Sequence, residues 1–313
     1  MKYAYKLYIN EGAEKNKYHF SYGSTGDATL SISKGNAQIE AYLTKNYNLN
    51  FEGSYAENLF REGLKRASLV HIMLYSEPLK INTLRLLFLQ GTQVISDRTI
   101  DNFPVLFPLV EHIAKLPECW KSKEIIAAVL SRKKTCQGSE TAALYAYITS
   151  KSKKYEIEKF IFQWMAFNGM YTHMAGLGIE GERAEISNLL VHYGYGHSIC
   201  TKKEREQLGK KVVRLINEID ELDVSRESLE NGKHLDLANK IVQLLPETSC
   251  QATPYGYLLG DFSYYLRCEV IHSDKPLPLF SFADDGELKA ITVANRVLEE
   301  FLDKKLCDCF NTL

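Results

Sequence analysis

The sequence predicts an α+β N-terminal domain followed by an all-α helical bundle. Up to about residue 105, short β-branched and aromatic runs are separated by Gly, Asn and Asp, the pattern of strands joined by tight turns. Beyond that point apolar residues recur at helical spacing, and no strand signal of similar strength appears. At 313 residues the chain is long enough for two domains, each burying its own core. The expected division is 1–104 for the α+β domain, 105–136 for a helical connector and 137–313 for the helical domain.

Taken in order, "KYAYKLYI", "KYHFSY" and "ATLSIS" read as strands. A helix follows around 55–75, and then "TLRLLFLQGTQVIS" reads as two strands about a turn at Gly91. Within the helix, Arg66 and His71 sit among Leu64, Ala67, Leu69, Val70, Ile72, Met73 and Leu74. A histidine in so apolar a stretch is expected to be a hydrogen-bonded core residue rather than a catalyst. In the connector, Pro104, Pro108 and Pro117 punctuate short elements, and "SKEIIAAVLSR" is an amphipathic helix with Ser122 at its N-cap.

The remaining segments are helical. They are "SETAALYAYITSKSKKYEIEKFIFQWMAFNGMY", "EREQLGKKVVRLINEIDEL", "HLDLANKIVQLL" and "DDGELKAITVANRVLEEFLDKKL". The second carries Leu208, Val212, Leu215, Ile216 and Ile219 on one face. The last offers Asp284 or Asp285 as a cap and a stripe of Ile291, Ala294, Leu298, Phe301 and Leu302.

Composition excludes several classes. With 45% hydrophobic and 25% charged residues, the chain is that of a soluble globular protein. Net charge is −1, so nucleic-acid contact would have to come from a local patch. The opening "MKYAYKLYINEGAEK" lacks the apolar core of a signal peptide, and no apolar run approaches the roughly 20 residues that span a bilayer. Seven scattered cysteines, with no CxxC among them, read as reduced thiols of a cytoplasmic protein. Cys307 and Cys309 have no second Cys or His pair at ligand spacing, so neither a metal nor another cofactor is expected. "GLGIEG" matches a dinucleotide-binding fingerprint, but it follows a helix rather than a strand and reads as an inter-helical loop. "HYGYGHS", with His192 and His197, has no acidic or Cys ligand beside it and reads as a flexible loop.

The chemistry is concentrated in "YYLRCEVIHSD". Arg267 and His272 lie five positions apart in a predicted helix that Pro276 helps to end. Spacing alone is unspecific, since Arg66 and His71 repeat it. The chemistry of the pair suits phosphodiester cleavage without metal. A histidine transfers protons at neutral pH, and an arginine fork holds phosphate oxygens and meets their growing charge. On RNA the 2′-hydroxyl is the nucleophile, so the protein need not supply one. Glu269, on the helical face of His272, is placed to orient the ring and raise its pKa. At about 100° per residue the two side chains diverge by about 140°, which favours two such helices meeting across a two-fold axis. The densest basic run of this half is Lys202, Lys203, Arg205, Lys210, Lys211 and Arg214. Interleaved with Glu204 and Glu206, it reads either as a solvated helix face or as an RNA contact.

An all-α domain with this arginine–histidine pair late in its sequence resembles the HEPN superfamily (higher eukaryotes and prokaryotes nucleotide-binding). "LRCEVIHSDK" is similar to the RC-x-x-x-HG-x-K form of its Apea-like relatives. "KFIFQWMAFNGMY", residues 159–171, resembles the F-I-x-x-W-x-A-F-N-x-x-Y helix that precedes that motif in them. The resemblance spans roughly 138–313 and does not reach residues 1–105. It implies a helical bundle that forms a homodimer through the motif helices. For many members it also implies a metal-independent endoribonuclease, a hydrolase that leaves a 2′,3′-cyclic phosphate on RNA. Such members serve in phage defence, toxin–antitoxin pairs or RNA processing, so an antitoxin or regulator joins RNA among the implied partners.

Arg267 and His272 take the two fixed positions of the motif. Cys268 stands where many active members carry Asn or Asp, and Ser273 where the Apea-like form has glycine. Trp164 and Tyr171 are read as core, and Asn168, on their helical face, either as a buried amide or as part of the site's lining. Two alternatives stand beside the nuclease. One is a catalytically inactive HEPN module that binds RNA, a nucleotide or a partner protein, which Cys268 favours. The other is an activity housed in the N-terminal domain, with the bundle only dimerising it.

Overall fold

The structure, a computed structural model, describes residues 3–12, 16–22, 26–43, 55–100, 113, 116–131, 138–175, 180–195, 254–272 and 285–311. The chain divides into two compact units, one of Met1–Gly138 with Cys307–Leu313 and the other of Ser139–Leu306. The described part of 105–136 thus belongs to the first unit.

The first unit is built on an antiparallel sheet. Its strands are β1 (Tyr3–Ile9), β2 (Asn16–Tyr22), β3 (Gly26–Ser33), β4 (Asn36–Leu43), β5 (Leu84–Gln90) and β6 (Gln93–Thr99), in the order β2-β3-β4-β1-β5-β6. Every pairing is antiparallel, and the register puts one apolar face in line. Leu7 stands opposite Ile39 and Leu86, Ile39 opposite Leu30, and Tyr5 opposite Ala41 and Phe88; all are buried. Side chains alternate with period two along a strand, so a slip of one residue would turn this whole set to the other face.

Helix α1 (Tyr55–Tyr75) covers that face. The fit is close at Gly63, where an added Cβ would lie 2.9 Å from the Ile39 Cδ1. His71, on α1, is a core residue with both ring nitrogens engaged. Its Nε2 accepts the Gly35 backbone N–H at 2.9 Å, and its Nδ1 donates to the Glu77 carbonyl at 2.8 Å. Gly35 forms the β3–β4 turn with φ +82°, so the histidine pins a turn that needs glycine. Arg66 lays its guanidinium over the Phe20 ring, 5.0 Å from the centroid, and donates to the Leu130 carbonyl.

One sequence expectation is amended here and another is borne out. "NAQIEAYL" forms β4, an interior strand that the apolar and aromatic runs did not mark. Ser122 does cap α2 (Lys123–Ser131), accepting the Ile125 N–H at 3.1 Å, after a 3-10 turn at Glu118–Lys121. Within this unit the sulfurs of Cys119 and Cys307 approach to 3.0 Å.

The second unit contains no strand among its described residues. It comprises α3 (Gly138–Ser150), α4 (Glu156–Ala175), α5 (Glu182–His192), α6 (Pro254–Tyr257), a π-turn at Leu258–Phe262, α7 (Ser263–His272) and α8 (Asp285–Asn311, up to Leu306). Its core is aromatic. Phe167 meets Phe301 edge-on at 5.5 Å, and Trp164 lies within ring contact of Phe160, Phe167, Tyr171 and Tyr264. The expected α8 stripe of Ile291, Ala294, Leu298, Phe301 and Leu302 is buried throughout. Asp284, Pro276 and the helices expected in 204–222 and 234–245 lie outside the described residues. No helix among the described residues is long and apolar enough to cross a membrane.

Candidate functional site

Helix α7 follows the π-turn directly. Ser263 donates its hydroxyl to the Leu258 carbonyl at 2.7 Å, adding a side-chain bond across the i to i+5 turn. Leu258, Leu259, Gly260, Asp261 and Phe262 are all buried. This buried turn leads straight into α7, the helix that carries Arg267.

Arg267 turns inward, with a side chain 16% exposed. Its guanidinium lies 5.6 Å from the Tyr264 ring centroid, and its Nη2 is 3.4 Å from Glu182 Oε1. The Tyr171 hydroxyl donates to the same Oε1 at 2.7 Å, and the Tyr264 hydroxyl donates to Oε2 at 3.3 Å. Three helices therefore converge on one carboxylate: α4 through Tyr171, α5 through Glu182, and α7 through Tyr264 and Arg267. Burial, reinforced by donation to Glu182, holds the Tyr171 phenol far above its ordinary range, so it remains a donor at any working pH.

The arginine is incompletely used in this arrangement. Its Nε is buried and has no hydrogen-bond partner among the described residues. Nη1 lies 4.0 Å from Cys268 Sγ, the outer limit for a weak sulfur contact. Nε and Nη2 form one edge of the planar fork, the edge that takes two oxygens of a carboxylate or phosphate together. Here that edge has one oxygen, at a distance beyond the usual charge-assisted range of about 2.7–2.9 Å.

The other sequence candidates are distributed as follows. His272 is the last residue of α7, and Glu269 lies one turn before it; the side chains of both lie outside the described residues. Cys268 is half-buried. Asn168 is half-buried on α4, where its Oδ1 accepts the Thr172 hydroxyl at 2.8 Å, and no hydrogen bond links it to Arg267 among the described residues. Trp164 and Tyr171 are core residues, 2% and 1% exposed, as read from the sequence. Lys202, Lys203, Arg205, Lys210, Lys211, Arg214 and His197 lie outside the described residues. His192 is exposed at the end of α5, against the Tyr193 ring. The "GLGIEG" segment follows α4, and its Gly181 stands at the N-cap of α5 with φ +97°. Among the described residues no group of His, Cys, Asp and Glu is arranged to hold a metal.

The sequence did not single out Glu182 or Tyr264. Glu182 opens α5, where an acidic residue is read as a partner of the helix dipole. Its real partner Tyr264 is 82 positions away, a contact no local pattern encodes. A second polar cluster was also unmarked. Lys151 is buried between Glu299 and Asp303 of α8, Lys159 pairs with Glu299 at 2.9 Å, and Tyr147 donates to Asp303. Burial drives Asp303 upward, while for Glu299 burial is outweighed by the two lysines, which hold it below its ordinary value. Through Tyr147 of α3, Lys151 just after it and Lys159 of α4, this ion network ties α3 and α4 to α8. The chain matches no protein-family model, no curated protein and no solved structure.

Proposed function

We propose that residues 138–313 form a HEPN-like helical domain and that the chain is a metal-independent endoribonuclease, with Arg267 holding the scissile phosphate and His272 transferring the proton. One observation supports this above the others. The Nε–Nη2 edge of Arg267 sits at a polar junction of three helices with Nε buried and unpartnered. An unsatisfied buried donor costs about 1–3 kcal/mol, a cost that an incoming phosphate oxygen would remove.

In the reaction, the 2′-oxygen bonds to phosphorus and the bond from phosphorus to the 5′-oxygen breaks. The products are a 2′,3′-cyclic phosphate and a 5′-hydroxyl. The proton leaves the 2′-hydroxyl and is returned at the 5′-oxygen, the work assigned to histidine. The arginine fork carries the charge that builds on the non-bridging oxygens. The splay of Arg267 and His272 on one helix is met by a homodimer in which two α7 helices face each other.

The test is incubation of the purified full chain with total and transfer RNA in EDTA. The proposal expects cleavage with 2′,3′-cyclic ends. It expects His272→Ala to lower the rate by about 10²- to 10⁴-fold with RNA binding retained. Arg267→Ala should weaken both binding and cleavage, because its fork touches ground-state and transition-state oxygens alike. Absence of cleavage, or cleavage that survives His272→Ala, would overturn it. A second reading, a catalytically inactive module, is favoured by the packing of Arg267 against Tyr264 and Glu182 and by Cys268. It expects Arg267→Ala to unfold the bundle rather than to silence a folded protein.

A further inference from the structure

Glu182 receives three donors. Tyr171 and Tyr264 each present a hydroxyl, Arg267 presents Nη2, and the neighbouring Nε is left over. In the arrangement adopted, no carboxylate oxygen among the described residues lies within hydrogen-bond range of Nε. Glu182 Oε1 takes the Tyr171 hydroxyl at 2.7 Å, which leaves the arginine a looser 3.4 Å approach. The two non-bridging oxygens of a phosphodiester, placed on the Nε–Nη2 edge, would give Nε the acceptor that Glu182 does not supply, with the tyrosine hydroxyls as further donors. The fork edge of this cradle is therefore left incompletely satisfied by the group now in it.

Glu182 is also the most accessible member of the pair, its side chain 30% exposed against 16% for Arg267. It stands at the start of α5, directly after Gly181. Rotation of its side chain toward solvent would open the cradle without moving a helix. While it stays, its negative charge opposes any phosphate arriving at Arg267.

We propose that Glu182 is a built-in occupant of a phosphate cradle formed by Tyr171, Tyr264 and Arg267, so that it must leave before the RNA backbone can bind. The two tyrosines are then phosphate-positioning residues, and Glu182 sets the threshold for substrate entry. This rests on the reading of Arg267 as the phosphate-holding residue, and it adds to that reading the group that competes for the same fork.

The experiment measures binding apart from cleavage. Inorganic phosphate and a 2′-deoxy dinucleotide, whose phosphodiester has no 2′-hydroxyl to react, are titrated calorimetrically into the full chain. Glu182→Ala is expected to bind both at least about tenfold more tightly than the unsubstituted protein, since a like charge is removed and three donors are released. Adding Tyr264→Phe to Glu182→Ala should take back part of that gain, and adding Arg267→Ala should abolish it. Glu182→Gln guards against misfolding: it keeps the shape and an acceptor for Tyr171 while removing the charge, and it too should bind more tightly. Unchanged or weaker binding in both Glu182 variants, with the helical circular dichroism signal intact, would overturn the proposal. Tighter binding without RNA cleavage by any form would keep the cradle and remove the nuclease. Cleavage by the unsubstituted protein with no gain in either Glu182 variant would do the reverse.

Discussion

His71 and Arg267 illustrate how the same spacing leads to different fates. His71 is 2% exposed, and both of its nitrogens are committed to the backbone of unit 1. Burial lowers its pKa below the ordinary histidine value, outweighing the small upward pull of the Glu77 carbonyl. A base whose folded pKa is depressed binds a proton more readily when unfolded. Its contribution is therefore intact at neutral pH and is lost as pH falls below about 6.5, flattening once the folded pKa is passed. Acid titration of stability should show this slope, and His71→Gln should remove it. His71→Ala should cost about 1–3 kcal/mol by denaturant unfolding, because the part-buried Gly35 N–H loses its acceptor and the Glu77 carbonyl its donor. A His71→Ala protein as stable as its parent would contradict the assignment. That the histidine is structural was legible in its apolar neighbours. What it grips was not, because a turn 36 positions earlier has no local signature.

At the scale of elements, legibility followed side-chain chemistry. β1, β2, β3, β5 and β6 announced themselves through aromatic and β-branched runs. β4 did not, since Asn, Gln, Glu and Ala are poor strand formers. Its burial nonetheless alternates through Ala37, Ile39 and Ala41, and its neighbours β1 and β3 supply the pairing that propensity lacks. The motif helix reads as one continuous stretch in sequence, and the π-turn inside it was invisible. Its cause is the Ser263 hydroxyl bonded to the Leu258 carbonyl, with Asp261 fully buried in the same turn. Ser263→Ala should cost about 1 kcal/mol, since a buried hydroxyl–carbonyl hydrogen bond is lost. If the turn also aims Arg267, the same substitution should weaken binding of the 2′-deoxy dinucleotide. Unfolding and calorimetry together check this, and a fully silent Ser263→Ala would show that the turn is held by other means.

For the whole molecule, the change from sheet to helices along the chain was readable from periodicity. The arrangement of the site was not. Arg267 could be named from its motif, and Tyr264 is its i,i−3 neighbour on α7, but Glu182 and Tyr171 reach this cluster only through the tertiary fold. The central proposal is that two copies of α7 complete one another, because positions 267 and 272 lie about 140° apart around one helix. Subunit exchange between Arg267→Ala and His272→Ala proteins tests this most directly. If each site takes its arginine from one chain and its histidine from the other, every mixed dimer holds one intact site. An equimolar, fully exchanged mixture of two inactive parents should then recover about a quarter of the unsubstituted protein's RNA-cleaving activity, with EDTA present throughout. No recovery despite verified exchange, or full-rate cleavage by a protein that light scattering shows to be strictly monomeric, would contradict the account.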